Sequence, residues 1–403
     1  MKSDQARTEA KRRPTILARL SLVVFGLAVG LLLCELVSRL AFPLPRGYFL
    51  HPPNTKEVFH LPASMLAGVP SVARHSTNSE GVRGDPPGPD PEYRILTIGG
   101  STTACGALDA PQTWPARVQT ILAERLPHRR VWVGNLGKDG LNTRHHLVTL
   151  DRFLPQRPRI DAVVFLVGVN DFLRRLQQDQ QFHPLTLAEL ETDSPTLTQT
   201  FSITPPDAGV TPWYRQLGLW RLAHKLRAGC TAWAAPEPAR ALAQARARRR
   251  NSPVWRSRLP DLGPALREYE QNLEALVDRS RARGLRIIFL TQPTLWKAAG
   301  MTPAEEATLL WGFVGRGLRD ATEYYTPAAL AEGMARYNEI TRQVCRQRGV
   351  ECLDLAGTLA ADLSVFYDDC HFNTSGAEQV AQRLATHLLE RLPFSAAGAR
   401  DGS

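Results

Sequence analysis

The chain has 403 residues, 43% of them hydrophobic and 22% charged, the proportions of an ordinary folded protein with room for one large domain carrying insertions or for two domains. Its formal net charge of +10 invites a nucleic-acid reading. Much of the excess, however, sits in the N-terminal tail and in the run Arg246-Ala247-Arg248-Arg249-Arg250, with no zinc-finger spacing or RNP-like run beside it, so no nucleic-acid partner is expected.

The first element is apolar. Leu20 to Cys34 carries no charge, and Ile16 to Ala18 and Leu36-Val37 extend it across Arg19 and Glu35. A spanning helix needs about 20 residues, which residues 16–42 supply. Arg19 can snorkel at one end, and Glu35 can pair with Arg39 one turn on. Lys2, Arg7, Lys11, Arg12 and Arg13 precede the run against only Asp4 and Glu9. The positive-inside rule therefore puts a basic tail, residues 1–15, in the cytoplasm and everything past the span outside it. Glu35-Leu36-Val37-Ser38-Arg39 makes a poor cleavage site, and Leu33-Cys34 lacks the small residue a lipoprotein signal wants. The run reads as an uncleaved signal anchor.

Residues 43–91, rich in Pro, Gly and polar side chains, read as a linker that packs on the domain at 92–393. That domain alternates strand and helix. A strand at Arg94 to Ile98 precedes a helix carrying Trp114, Val118, Ile121, Leu122 and Leu126. Val131 to Asn135 is a second strand and Leu141 to Leu154 a second helix. Asp161 to Val167, continuously apolar from Ala162, suits a central parallel strand. Residues 173–260 break the rhythm and read as an insertion. A helix from Asp261 to Gly284 leads to a strand at Leu285 to Thr291, and residues 292–326 form a second insertion. A helix from Pro327 to Arg348 precedes a fifth strand at Val350 to Leu355. A helix from Thr374 to Leu392 closes the domain, and residues 394–403 are a flexible tail. Five strands alternating with helices predict an α/β fold, a parallel sheet covered on both faces.

Four stretches follow strand ends, where open α/β sheets bind ligands. They are Gly99-Gly100-Ser101, Asn135 to Gly140, Gly168-Val169-Asn170-Asp171, and Asp368-Asp369-Cys370-His371. Ester cleavage through a covalent intermediate needs a nucleophile, a base, a group to orient the base, and donors for the oxyanion. Ser101 offers the hydroxyl, His371 the base and Asp368 the orienting carboxylate. Gly140 offers an unobstructed backbone N–H and Asn170 a side-chain amide.

This set resembles the SGNH (GDSL-type) hydrolase family. Ser101 stands at its block I serine, Gly140 at the block II glycine, Asn170 in the block III GxND, and Asp368 and His371 in the block V DxxH. The anchor, the stretch Asn78 to Gly84 and the Gly-Gly-Ser-Thr turn look like a membrane-anchored bacterial branch. The resemblance implies a three-layer α/β/α sandwich on a central parallel five-stranded, flavodoxin-like sheet. It implies a serine esterase with a Ser101–His371–Asp368 triad, an oxyanion hole of Ser101, Gly140 and Asn170, and neither cofactor nor metal. One position departs: Gly100 replaces the Asp of the usual Gly-Asp-Ser. The α/β-hydrolase alternative fails because Thr103 occupies the second Gly of its GxSxG elbow.

The expected substrate is an acylated, most simply acetylated, carbohydrate of the envelope, met on the periplasmic side of a bacterial inner membrane. Acyl transfer to a sugar, lipase or lysophospholipase activity, and a non-catalytic assembly role are the rivals. Asp139 and Asp369 read as solvated or turn-forming and Asp354 as structural; His145 and His146, on the helix after Gly140, are within reach of the pocket but read as helix-surface residues. Trp296 and Tyr367 either line the pocket or pack beneath it. Cys34, Cys105, Cys230, Cys345, Cys352 and Cys370 show no CxxC or zinc-like cluster. An exported location would permit the pairs Cys345–Cys352 and Cys105–Cys370.

Overall fold

Apolar strands and amphipathic helices assemble as follows in the computed structural model, which describes residues 15–41, 46–88, 91–157, 159–210, 212–223 and 238–392. Two units are distinguished: Met1–Arg46 with Pro206–Ala235, and Gly47–Pro205 with Pro236–Ser403. The smaller contains helix α1 (Ile16–Ala41), whose apolar 18-residue window has a mean hydropathy of 2.5 and no buried share. It is long and apolar enough to cross a membrane.

The larger unit opens with an antiparallel ribbon, β1 (Lys56–His60) and β2 (Val72–Ser76). Then come β3 (Tyr93–Gly99), α2 (Ser101–Ala104), α3 (Trp114–Arg125), β4 (Val131–Gly137), α4 (Thr143–Arg152), β5 (Ala162–Leu166) and α5 (Val169–Gln178). The first insertion holds α6 (Leu187–Thr192), α7 (Ser194–Thr200), α8 (Pro238–Arg250) and β6 (Val254–Arg256). After it come α9 (Gly263–Arg281), β7 (Arg286–Leu290), α10 (Pro303–Glu306), β8 (Glu323–Tyr325), α11 (Pro327–Arg348), β9 (Glu351–Leu353), α12 (Leu355–Thr358) and α13 (Thr374–Leu389).

The main sheet runs β4-β3-β5-β7-β9 with every neighbouring pair parallel. Helices α3 and α13 pack together on one face, and α4, α9 and α11 on the other. This is the three-layer sandwich. All five residues of β5 are buried, as a strand covered on both faces requires. The chain leaves β3 toward β4 and then crosses back to β5, so the order reverses beside β3, and a ligand crevice belongs at the carboxyl ends there.

Several boundaries differ from expectation. Strand β4 continues to Gly137, because it pairs with β3 through Gly99↔Gly137 and Asn135 Oδ1 accepts the Gly137 N–H at 2.8 Å. Helix α5 runs to Gln178, so the first insertion begins six residues late, and its Leu173 and Leu176 are core. The residues before β3 are more than a linker. Arg83 forms a bridge with Asn135, and its buried guanidinium serves the carbonyls of Ala104, Cys105 and Leu108. The two insertions zip together through β6 and β8. The arginine run lies in α8, where Arg246 donates to Met65 O at 2.6 Å and buried Arg249 to the carbonyls of Trp311 and Tyr325. Part of the formal charge is thus structural, satisfied by carbonyl dipoles.

Candidate active site

Ser101 begins α2 directly after β3, on a turn whose tightness depends on Gly100. A Cβ at Gly100 would stand 2.2 Å from Asn170 Nδ2. Any side chain there, the more usual Asp included, collides with Asn170 as placed here. From α5, Asn170 Nδ2 donates to Leu141 O at 2.8 Å. The next residue, Asp171, accepts from Thr143 N at 3.2 Å and Thr143 Oγ1 at 2.5 Å. The start of α5 thereby holds the chain just after Gly140 at two points. Gly140 itself has φ +75°, a region L side chains avoid. Lys138, on the same loop, donates to the carbonyls of Gln199 and Thr200 at 3.1 and 3.0 Å. Burial pushes its ammonium down to about 8, against the opposing pull of Asp139.

His371 lies between β9 and α13. Its Nε2 is 2.7 Å from Ser101 Oγ, and its Nδ1 is 2.8 and 2.9 Å from the two Asp368 oxygens. Asp368 Oδ1 also accepts the backbone N–H groups of Cys370 and His371 at 3.1 and 3.0 Å. Asp368 is only 3% exposed, so its carboxylate is fixed by these donors. Burial raises its pKa, but the imidazolium charge and the hydrogen bonds of His371 outweigh that and leave it lowered. For His371, burial disfavours the cation, and the Asp368 carboxylate overcomes this to hold the pKa well above the ordinary value. The Tyr367 ring stacks on the imidazole, centroids 5.6 Å apart. Asp368, Cys370 and His371 also place metal-ligand types within 4.8 Å of one another. Both ring nitrogens of His371 are already committed, to Asp368 and to Ser101.

Ser101, Gly140, Asn170, Asp368 and His371 line one cavity of about 980 Å³. Two groups of side chains surround them. One is apolar: Phe59, Leu61, Leu66, Leu242, Leu310 and Trp311. The other, from α4, α5, α7 and the loop before α6, is polar: Asn142, His145, Arg174, Gln177, His183 and Gln199. Within it His145 Nε2 is 3.1 Å from Gln199 Oε1, and the neighbouring Arg144 is held by buried Glu268 at 2.8 Å.

Some expected placements fail. His145 and His146 are not helix-surface residues but 5% and 1% exposed, because α7 and α9 both pack on α4. His145 completes a capping box with Asn142 and faces the cavity. Burial pushes His145 and His146 down to about 4 and 3, so both are neutral at pH 7. Asp369 is not solvated but fully buried. It accepts from Trp296 Nε1 at 2.8 Å and from the backbone N–H groups of Leu310 and Trp311 at 2.6 and 3.1 Å, tying the second insertion to the histidine loop. Trp296 therefore packs beneath the site, and Tyr367 lines it. Asp139 is exposed, and Asp354 caps α12. Cys34, Cys105, Cys345, Cys352 and Cys370 are all free thiols, so neither candidate pair is joined; Cys230 lies outside the described residues. The residues that sequence reasoning missed are Lys138, Asp171, Arg174 and the ribbon's Phe59. Asp171 closes the GxND motif and Lys138 lies in the stretch before Gly140, but neither was given a role, and no motif marks Arg174 or Phe59, which reach the cavity through packing set by the fold.

Residues 97–379, more than half of the chain, match the family described as GDSL-like Lipase/Acylhydrolase. Among solved structures, LAE5, an alpha/beta hydrolase enzyme from the metagenome of Lake Arreo, Spain, is similar with 16% identity and a TM-score of 0.40, covering 74% of this chain and 97% of that one. Axe2, an acetylxylan esterase from Geobacillus stearothermophilus, gives 16% identity and 0.40, covering 74% and 94%. The acetyl xylan esterase AlAXEase gives 12% identity and 0.39, covering 73% and 100%. No curated protein matches the chain. On the family match and the parallel sheet that carries it, the chain belongs to the GDSL-like lipase/acylhydrolase family and is an ester hydrolase of SGNH fold.

Proposed function

We propose that the chain is a membrane-anchored serine esterase that removes short acyl groups, acetyl above all, from carbohydrate. The observation that carries the chemistry is the continuous chain Ser101 Oγ to His371 Nε2 to Asp368 at 2.7 and 2.8 Å. His371 takes the proton of Ser101 as Oγ attacks the ester carbonyl. The N–H groups of Ser101 and Gly140 and the free N–H of Asn170 receive the oxyanion. The imidazolium returns its proton to the departing alcohol, leaving an acyl-enzyme. Water, deprotonated by His371, then releases the acid and restores Ser101. Acyl transfer is the same path with a sugar hydroxyl in place of water.

The polar half of the cavity supports a carbohydrate alcohol, because amide, imidazole and guanidinium groups match clustered hydroxyls. The apolar half favours one second reading, a longer acyl chain. Chain-length preference separates them. Turnover of p-nitrophenyl esters should peak at acetyl or propionyl, and acetylated oligosaccharides should lose acetate. A peak at about eight carbons or more, with activity rising on micelles, would make the enzyme a lipase, since each buried CH₂ contributes about 0.8 kcal/mol.

Asn170→Ala should slow turnover by about 10²–10³-fold, through kcat more than KM, as loss of one preorganised donor does. Gly100→Ala should reproduce most of that loss, because its methyl displaces Asn170 Nδ2. An effect on KM alone would assign Asn170 to substrate binding. Steady-state kinetics on folded variants provide the check.

We also propose that α1 is an uncleaved single span with the basic tail inside and the hydrolase domain at 92–393 outside. The tail's Lys2, Arg7, Lys11, Arg12 and Arg13 support that direction. Protease added to sealed spheroplasts should digest the domain. Digestion only after lysis would reverse the orientation.

A further inference from the structure

Helix α1 has 26 residues. At 1.5 Å per residue it is about 39 Å long, more than the roughly 30 Å hydrocarbon core. Its last turns, with Glu35, Ser38 and Arg39, therefore reach the headgroup layer if α1 spans the bilayer. Glu35 there is not a stray charge. Its Oε1 accepts the Gly218 N–H at 2.8 Å and Arg39 Nε at 2.6 Å, and its Oε2 accepts the Leu219 N–H at 2.9 Å. The carboxylate caps the start of a helical segment at Gly218 and complements its dipole. A Cβ at Gly218 would lie 2.8 Å from Ser38 Cβ and 3.1 Å from Arg39 N, so only glycine permits this approach. Ser38, 6% exposed, is buried by it.

The residues leading into this contact are aromatic and exposed. Trp213 is 74% and Tyr214 40% exposed. Tyr214 lies 6.2 Å from Trp213 and 6.1 Å from Trp220, ring centre to ring centre, edge to face. The Arg215 guanidinium lies over the rings of Tyr214 and Trp220 at 5.9 and 5.6 Å. Tryptophan and tyrosine beside the end of an apolar helix, with arginines among them, have the chemistry of a membrane interface: amphipathic rings at carbonyl depth and guanidinium groups at phosphate depth.

We infer that residues 212–223 form an interfacial collar, seated on the end of α1 by Glu35 and Gly218, whose partner is the headgroup layer of the bilayer that holds α1. This rests on α1 being a span. The esterase would then meet the membrane at two places in its sequence, the anchor and a stretch within its own first insertion.

The test uses the full chain in phosphatidylcholine vesicles. Alkaline carbonate is applied first. Release of the protein would overturn the span and the collar together, whereas retention establishes the span. The tryptophan emission of Trp213 is then taken as wild type minus Trp213→Phe. The collar predicts loss of this difference signal in lipid brominated at carbons 6 and 7, a smaller loss with bromine at carbons 11 and 12, and little loss to aqueous iodide. Full quenching by iodide with none by brominated lipid would overturn the collar while leaving the anchor intact. Protection from both quenchers would replace lipid with a protein partner and also overturn it. Gly218→Leu forces the segment off Ser38 and should convert Trp213 to iodide quenching, with hydrolysis of p-nitrophenyl acetate retained. Unchanged lipid quenching in Gly218→Leu would overturn the seating on α1.

Discussion

Replacing Ser101 by alanine is expected to lower kcat by about 10⁶-fold in a protein that remains folded. The size follows from the site acting as a unit. Without Oγ there is nothing for His371 to deprotonate, so base and carboxylate contribute no more with the serine gone than if all three were removed. What remains is binding and the oxyanion donors, about 10³–10⁴ over water. The fold should be indifferent. Ser101 is partly exposed, and the first turn of α2 is closed by backbone bonds such as Cys105 N to Ser101 O at 2.9 Å. Circular dichroism alongside steady-state rates separates the two effects. Near wild-type turnover in folded Ser101→Ala would remove the serine from the mechanism.

Asp368→Asn carries the second-largest expected effect, about 10⁴-fold in kcat, and it carries a signature in pH. An amide at position 368 can still accept the Cys370 and His371 N–H groups, but its own N–H₂ faces Nδ1. That favours the imidazole tautomer with its proton on Nε2, which cannot take the serine's proton. The sign of the pH effect follows from the charges. His371 works as a base only when neutral, and Asp368 overcomes burial to raise its pKa well above the ordinary value. Activity should therefore rise with pH along a limb centred above the ordinary histidine value of about 6.5. With the carboxylate removed and the burial kept, the limb should move to lower pH while its plateau collapses. A profile of kcat/KM against pH for both proteins reads this directly, and a limb that stays in place would detach Asp368 from His371.

How much of this was legible in the sequence depended on whether a residue's role is local. Each of the five main strands is a short apolar run between turn residues, and each lies within a residue or two of where the pattern puts it, except that β4 runs on to Gly137. Its last residues are Asn, Leu and Gly, a poor strand by composition, held by pairing with β3. Ser101, Asp368 and His371 were legible because their spacing is itself chemical: a turn after a strand, and a carboxylate three residues before an imidazole. Asp369 was misread because its partners, Trp296 and the backbone at Leu310 and Trp311, are 58 to 73 residues away in the chain. His145 and His146 were misread because α4 has no exposed face; α7, from the insertion, covers the side that helical periodicity would give to water. Arg246 and Arg249 stood out only as members of a basic run for the same reason, since the carbonyls they satisfy come from distant parts of the chain. Gly100 shows the converse. Its identity looked like a departure from pattern, and what a side chain there would meet in this chain is the amide of Asn170, 70 residues on.

The most direct measurement of the central claim, that Ser101 becomes acylated, is the intact mass of the protein after treatment with a fluorophosphonate, followed by peptide mapping. One phosphonyl group per chain is expected, carried by the peptide containing Ser101, absent from Ser101→Ala and slow to form in Asp368→Asn. An unmodified wild-type protein, or an adduct that maps elsewhere and survives in Ser101→Ala, would contradict it.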